Sequence, residues 1–221
     1  MGRDSQPKNR QRTRLERKIG KREEYDRLLI VCEGEKTEPN YFKEICRRYK
    51  LASTNVRVVP SEYGTLPQQI VDYAADCCIE DNRLERVFCV FDEDDHLNFP
   101  NAIESAMAKD RKLKNDQGKR IGFCAIPSAP CFELWLLLHF EGTTNKMSRH
   151  DLLKKLKKHM PEYEKSGIDH FAQTEIRLDT AYKNVNRLSQ NKSGSQVQNP
   201  FTAVDKVVKT LLQLAEQKQS K

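Results

Sequence analysis

Three carboxylates stand directly behind two apolar segments. Glu33 follows Asp26–Cys32 in LLIVCEGEKTEPNYF, and Asp92 and Asp94 follow Val87–Phe91 in VFCVFDEDDH. Alternate residues of an extended chain project to one side, so Asp92 and Asp94 face together while Glu93 faces away. In open parallel α/β sheets, ligands gather at the carboxyl ends of the strands. Carboxylates gathered there repel one another unless a divalent cation sits among them. An all-oxygen donor set suits Mg²⁺ or Mn²⁺. A cation held there would supply charge neutralisation on a bound substrate and activation of a water.

Further residues are candidates for the same place. Glu133 interrupts the apolar run of PCFELWLLLHF, and a charge there must face solvent, a partner or a cation. It is expected to join the metal site, on a helix starting at Ser128 or Pro130. Glu35 and Glu38 crowd the loop after Glu33. Glu38 either touches the site or favours the positive end of a helix. Lys36 either meets a phosphate or is solvated, and His96 is a proton shuttle, a phosphate contact or a polar loop residue. Trp135 and His139, four residues apart, read as core. Gly34-Glu35-Lys36-Thr37 looks like the end of a phosphate-binding loop, but the first glycine of that motif is absent and Glu35 interrupts its Gly-Lys pair. Nucleotide processing stays open, because the same carboxylates can hold a metal–triphosphate.

The elements that must position these groups alternate. Strands are expected at Asp26–Cys32, Val56–Val59, Val87–Phe91 and Ile121–Ile126. Helices are expected from Thr37 to about Lys50 (with Thr37 as cap and Pro39 in the first turn), over Leu66–Ile79 and over Asn98–Leu113. This pattern predicts an α/β fold with a mostly parallel sheet flanked by helices. After Phe140 the periodicity turns helical, with helices over Asp151–His159, Gln173–Leu188 and Thr202–Gln217, a loop in PEYEKSGIDHF and no strand. The expected organisation is an arm over 1–24, an α/β core over 25–140, and a helical extension over 141–221 packed on the core.

The 221 residues are 37% apolar and 32% charged, a foldable polar composition. No apolar run approaches the roughly 20 residues of a membrane helix, and no signal-peptide pattern is visible. Seven cysteines include no CxxC pair, so a reducing, cytoplasmic setting without disulfides or zinc is expected. Residues 1–22 hold nine Lys/Arg against Asp4 and Glu16, a net of +7 that equals the charge of the whole chain. Residues 23–221 therefore balance to zero. Arg10, Arg12, Arg14, Arg17, Lys18, Lys21 and Arg22 are expected either to contact the phosphates of a nucleic acid or to solubilise the chain.

Four segments, LLIVCEGEKTEPNYF, VFDEDDH, SAPCFELWLLLHF and NPFTAVDKVV, together resemble the RloB family over Tyr25 to about Leu214. A Glu-Gly after one strand and an Asp-x-Asp after another also resemble the Toprim fold of topoisomerases, primases and several nucleases. The resemblance implies a Toprim-like core and a metal-dependent nuclease, more an endonuclease than an exonuclease. It further implies a role in prokaryotic anti-phage defence, often beside an AAA- or ABC-type ATPase partner. Carried over by position, Glu33 is the general acid/base and Asp92 and Asp94 hold the cation. The rival reading is a nucleic-acid-binding or sensor module that uses the same core without turnover.

Overall fold

The computed structural model describes residues 26–93, 98–190 and 197–219. Asp94 and His96, and all of the basic arm from Arg10 to Arg22, lie outside these residues. The runs Leu28–Cys32 (β1) and Arg86–Asp92 (β3) have their apolar residues buried on both faces, as strands at the centre of a parallel sheet must. Val56–Pro60 (β2) and Gly122–Ala129 (β4) flank them. A two-residue strand, Phe201–Thr202 (β5), completes the order β2-β1-β3-β4-β5. All neighbours are parallel except β4 and β5. The chain runs from β1 outward to β2, then crosses to β3 on the other side of β1. The junction of β1 and β3 is therefore the point where strand order reverses, and Cys32 pairs with Val90 there.

Alternation along the strands feeds two apolar layers. Leu29, Val31, Cys89 and Phe91 meet Pro67–Glu80 (α2) and Phe99–Lys109 (α3) on one face. Leu28, Ile30, Phe88 and Val90 meet the other face, built from Thr37–Arg48 (α1), Glu133–Leu137 (α4), Arg149–His159 (α5), His170–Thr174 (α6), Leu178–Gln190 (α7) and Val204–Gln219 (α8). The apolar cluster on this face runs without a break across residue 141. Its centre is Tyr41, whose ring meets Phe42, Phe132 and Phe171 edge-on at 5.6–5.8 Å. The Tyr41 hydroxyl accepts a hydrogen bond from Trp135 Nε1 at 2.8 Å. Trp135 and His139 are both fully buried. Burial lowers the His139 pKa to about 4, so its imidazole is a neutral core group.

The structure corrects several expectations. The chain from Ser128 is still strand through Ala129, and the helix there is only Glu133–Leu137. The segment after Phe140 does contain a strand, β5, because Phe201–Thr202 closes the free edge of β4. The helix expected over Gln173–Leu188 is divided into α6, a turn of 3-10 helix at Glu175–Arg177, and α7. Thr37 does not cap α1. It is the first helical residue, and its hydroxyl donates to the Lys165 carbonyl at 3.2 Å.

Glu44 ties α6 to α1. This buried α1 carboxylate accepts from Phe171 N at 2.8 Å and Ala172 N at 3.0 Å, at the start of α6. Those amides have no intrahelical partner, so a carboxylate there satisfies two donors and meets the positive end of the helix. Glu44→Ala is expected to lower stability by about 2 kcal/mol or more, read as a fall in the urea midpoint, with Glu44→Gln losing less. An unchanged midpoint in Glu44→Ala would show that this contact does not hold the extension to the core.

Candidate functional site

The strand-order reversal sets Glu33 and Asp92 side by side. Glu33 N donates to Val90 O at 2.9 Å, which ends β1 in register with β3. The Asp92 backbone N–H then donates to Glu33 Oε2 at 2.8 Å. Gly34 lets the next turn pass closely. A β-carbon there would collide with the Glu38 carboxylate, which lies back over the loop. On the far side Glu93 N donates to Ser128 O at 2.8 Å, which brings the end of β4 to the same edge. The chain returns from there into α4, whose first residue is Glu133.

The result is a cleft of about 300 Å³ lined by Glu33, Glu35, Glu38, Asp92 and Glu133 together with Lys36, Arg149 and Lys165. Five carboxylates against three cations give the lining a formal charge of −2 when all are ionised. Asp92 is 3% exposed and Glu133 is 2% exposed. Burial, followed by the charges of Glu38, Glu33 and Glu133, pushes Asp92 well above the usual carboxylate range, against the pull of Arg149. Arg149 Nη2 meets Asp92 Oδ2 at 2.8 Å. Asp92 Oδ1 is buried with no hydrogen-bond partner among the described residues. Burial, then Glu133 and Glu33, raise Glu38 to about 7. Glu133 goes the other way. Burial pushes it up, but hydrogen bonds from the Cys131 thiol and the Tyr163 hydroxyl outweigh that and hold it below its ordinary value. The Tyr163 bond to Glu133 Oε1 is 2.8 Å and buried.

Of the residues expected from the sequence, Glu33, Asp92, Glu133, Glu35, Lys36 and Glu38 share this cleft; Asp94 and His96 lie outside the described residues. Among the described residues, no three His, Cys, Asp or Glu side chains sit close enough together to hold a metal ion as they stand. The donor set still fits a hard divalent cation. It is all carboxylate oxygen, one buried oxygen lacks a partner among the described residues, and the raised Asp92 and Glu38 carboxyls mark a place where added positive charge would be favourable.

Sequence reasoning missed Arg149, Tyr163 and Lys165, all from the extension. Ser148 caps α5, its Oγ accepting from Asp151 N at 3.1 Å, and so fixes the start of the helix that carries Arg149. The loop with Tyr163 and Lys165 is pinned to α1 through Thr37 and through Asn40, whose Nδ2 donates to the Ser166 and Gly167 carbonyls. The only local signal was a tyrosine inside a polar loop, which has no visible target without the fold.

A raised carboxyl pKa stabilises the folded state on the acid side. The Glu38 contribution is full below its ordinary value of 4.5 and is lost as pH climbs through about 7. In EDTA, wild type is expected to lose up to about 3 kcal/mol more than Glu38→Gln between pH 5 and pH 8, measured by urea unfolding. Parallel pH profiles would show that Glu38 carries no such strain.

No curated protein and no solved structure matches the chain. Among the described residues no helix is long and apolar enough to cross a membrane. A family model described as RloB-like protein matches residues 28–211, and the chain belongs to that RloB-like family.

Proposed function

We propose that the protein is a divalent-metal-dependent nuclease that hydrolyses phosphodiesters of DNA or RNA. The observation that carries this reading is the buried Asp92 carboxyl, one oxygen on Arg149 and the other without a partner among the described residues, in a cleft lined by five carboxyl groups and three cations. Asp92, Glu33 and Glu133, with Asp94, would hold a Mg²⁺ or Mn²⁺. When bound, that ion supplies charge neutralisation on the phosphate and acidification of a water.

The chain's own residues do the rest. Glu33, half-buried at the cleft, takes the proton of the attacking water, its orientation set by the Asp92 amide. Lys36 and Lys165, both exposed at the rim, hold phosphate oxygens. Tyr163 and Cys131 keep Glu133 ionised and fixed. Arg149 neutralises Asp92 in the resting cleft and can turn to the phosphate once Asp92 is otherwise engaged. Resemblance to the RloB family supports a place in anti-phage defence, with an AAA- or ABC-type ATPase as partner.

A second reading is a binding or sensor module without turnover. It is favoured by the same ion pair, since Arg149 sets a permanent cation against Asp92. The two readings separate on one assay. Wild type and Glu33→Gln are incubated with Mn²⁺ and plasmid, single-stranded DNA or tRNA, with and without a co-purifying ATPase. Cleavage is expected from wild type and at least about 100-fold less from Glu33→Gln. No cleavage by wild type under any condition would sink the enzyme reading, and equal cleavage by the variant would remove Glu33 from it. Mg²⁺ is also expected to raise the melting temperature of wild type at pH 8 and not that of Asp92→Asn.

A further inference from the structure

A second concavity lies beside the cleft. It is a groove of about 720 Å³ between α1 and β2, at the free edge of the sheet. Lys43, Arg47 and Lys50 line one wall and Arg57 of β2 the other, all exposed, and among the described residues no carboxylate lines it. The floor is aliphatic, from Leu51, Val56 and Val58, and Ile168 closes one end at 61% exposure. Residues 36, 40, 43, 47 and 50 follow each other at intervals of four, three, four and three. Asn40, Lys43 and Arg47 share one face of α1, while Lys36 immediately precedes the helix and Lys50 follows its end with φ at +52°. The series begins at Lys36, which also lines the carboxylate cleft. Asn40, the uncharged member, binds the carbonyls of the loop that carries Lys165 into the cleft and Ile168 into the groove.

We propose that this groove is a binding track for a single-stranded polynucleotide, DNA or RNA, and that it leads the strand from the β2 edge into the carboxylate cleft. The strand's delivery for cleavage rests on the nuclease reading; its binding does not. Cations on both walls of a groove track a phosphate backbone. An aliphatic floor between them receives the apolar faces of bases that are free to lie on it, which a duplex keeps paired inside. Charge and apolar surface are thus both matched by a single strand. An acidic peptide, paired along β2, matches the charge alone.

The test is fluorescence anisotropy with the full chain in EDTA, where hydrolysis cannot contribute. The probes are oligo-dT and oligo-U of about 12 nucleotides, a duplex of the same length, and a poly-glutamate peptide. The variant is Lys43→Gln/Arg47→Gln/Lys50→Gln/Arg57→Gln, with folding checked by thermal melting. The single strands are expected to bind wild type more tightly than the duplex. The variant is expected to lose at least tenfold in single-strand affinity, with the salt slope reduced by up to about 3. Unchanged affinity and slope would overturn the track, as would a loss confined to poly-glutamate. If the variant misfolds, cross-linking of wild type to a 4-thiouridine strand decides. Adducts on α1, Leu51–Val58 or Ile168 support the track, and adducts confined to residues 1–22 overturn it. Binding in the groove with no Mn²⁺-dependent cleavage would leave the track standing and remove the nuclease. Cleavage with an unchanged KM in the variant would do the reverse.

Discussion

Glu33, Glu38, Asp92 and Glu133 line one cleft, and their like charges oppose its formation. The reversal of strand order between β1 and β3 puts Glu33 and Asp92 in contact, with Glu38 folded over them and Glu133 behind. Bringing ionised carboxylates out of water and toward each other opposes folding. Two local devices hold them anyway. Backbone amides and a tyrosine hydroxyl donate to Glu33 and Glu133, and Arg149 donates to Asp92. The rest of the molecule supplies the apolar burial that makes the arrangement affordable.

That burial comes largely from the second half of the chain. The aromatic cluster around Tyr41 joins α1 to the residues after β4 and to α6, so the helix that starts at the cleft is clamped from the extension side. The same extension donates Arg149, Tyr163 and Lys165 to the cleft lining and its contacts. It is therefore part of the site's construction and not an appendage to a finished α/β core.

How much of this could be read from the sequence depended on whether the cause was local. β1 and β3 were legible because each is a bounded apolar run that ends in acid, and the α/β alternation fixed the parallel sheet. Glu33 and Asp92 could be brought together because strand ends in such a sheet share an edge. The limits were equally physical. Leu134–Leu138 is apolar at every position, so periodicity does not separate helix from strand there, and the helix begins at Glu133 and not at Ser128 or Pro130. β5 has two residues and exists only because β4 has a free edge. Arg149 reaches Asp92 across 57 residues, a distance over which spacing carries no information.

Ser128 stitches two remote parts of the chain. Its carbonyl accepts from Glu93, at the loop that follows Asp92, and its hydroxyl meets that of Thr202 at 3.0 Å in β5. Thr202 Oγ1 in turn accepts from Val204 N at the start of α8. During synthesis the acidic strand ends emerge early, while Arg149, Lys165 and the hydroxyl latch at Thr202 follow 57 or more residues after Asp92. A nascent chain thus carries the carboxylates without the groups that discipline them until Arg149, Tyr163 and Thr202 have been added.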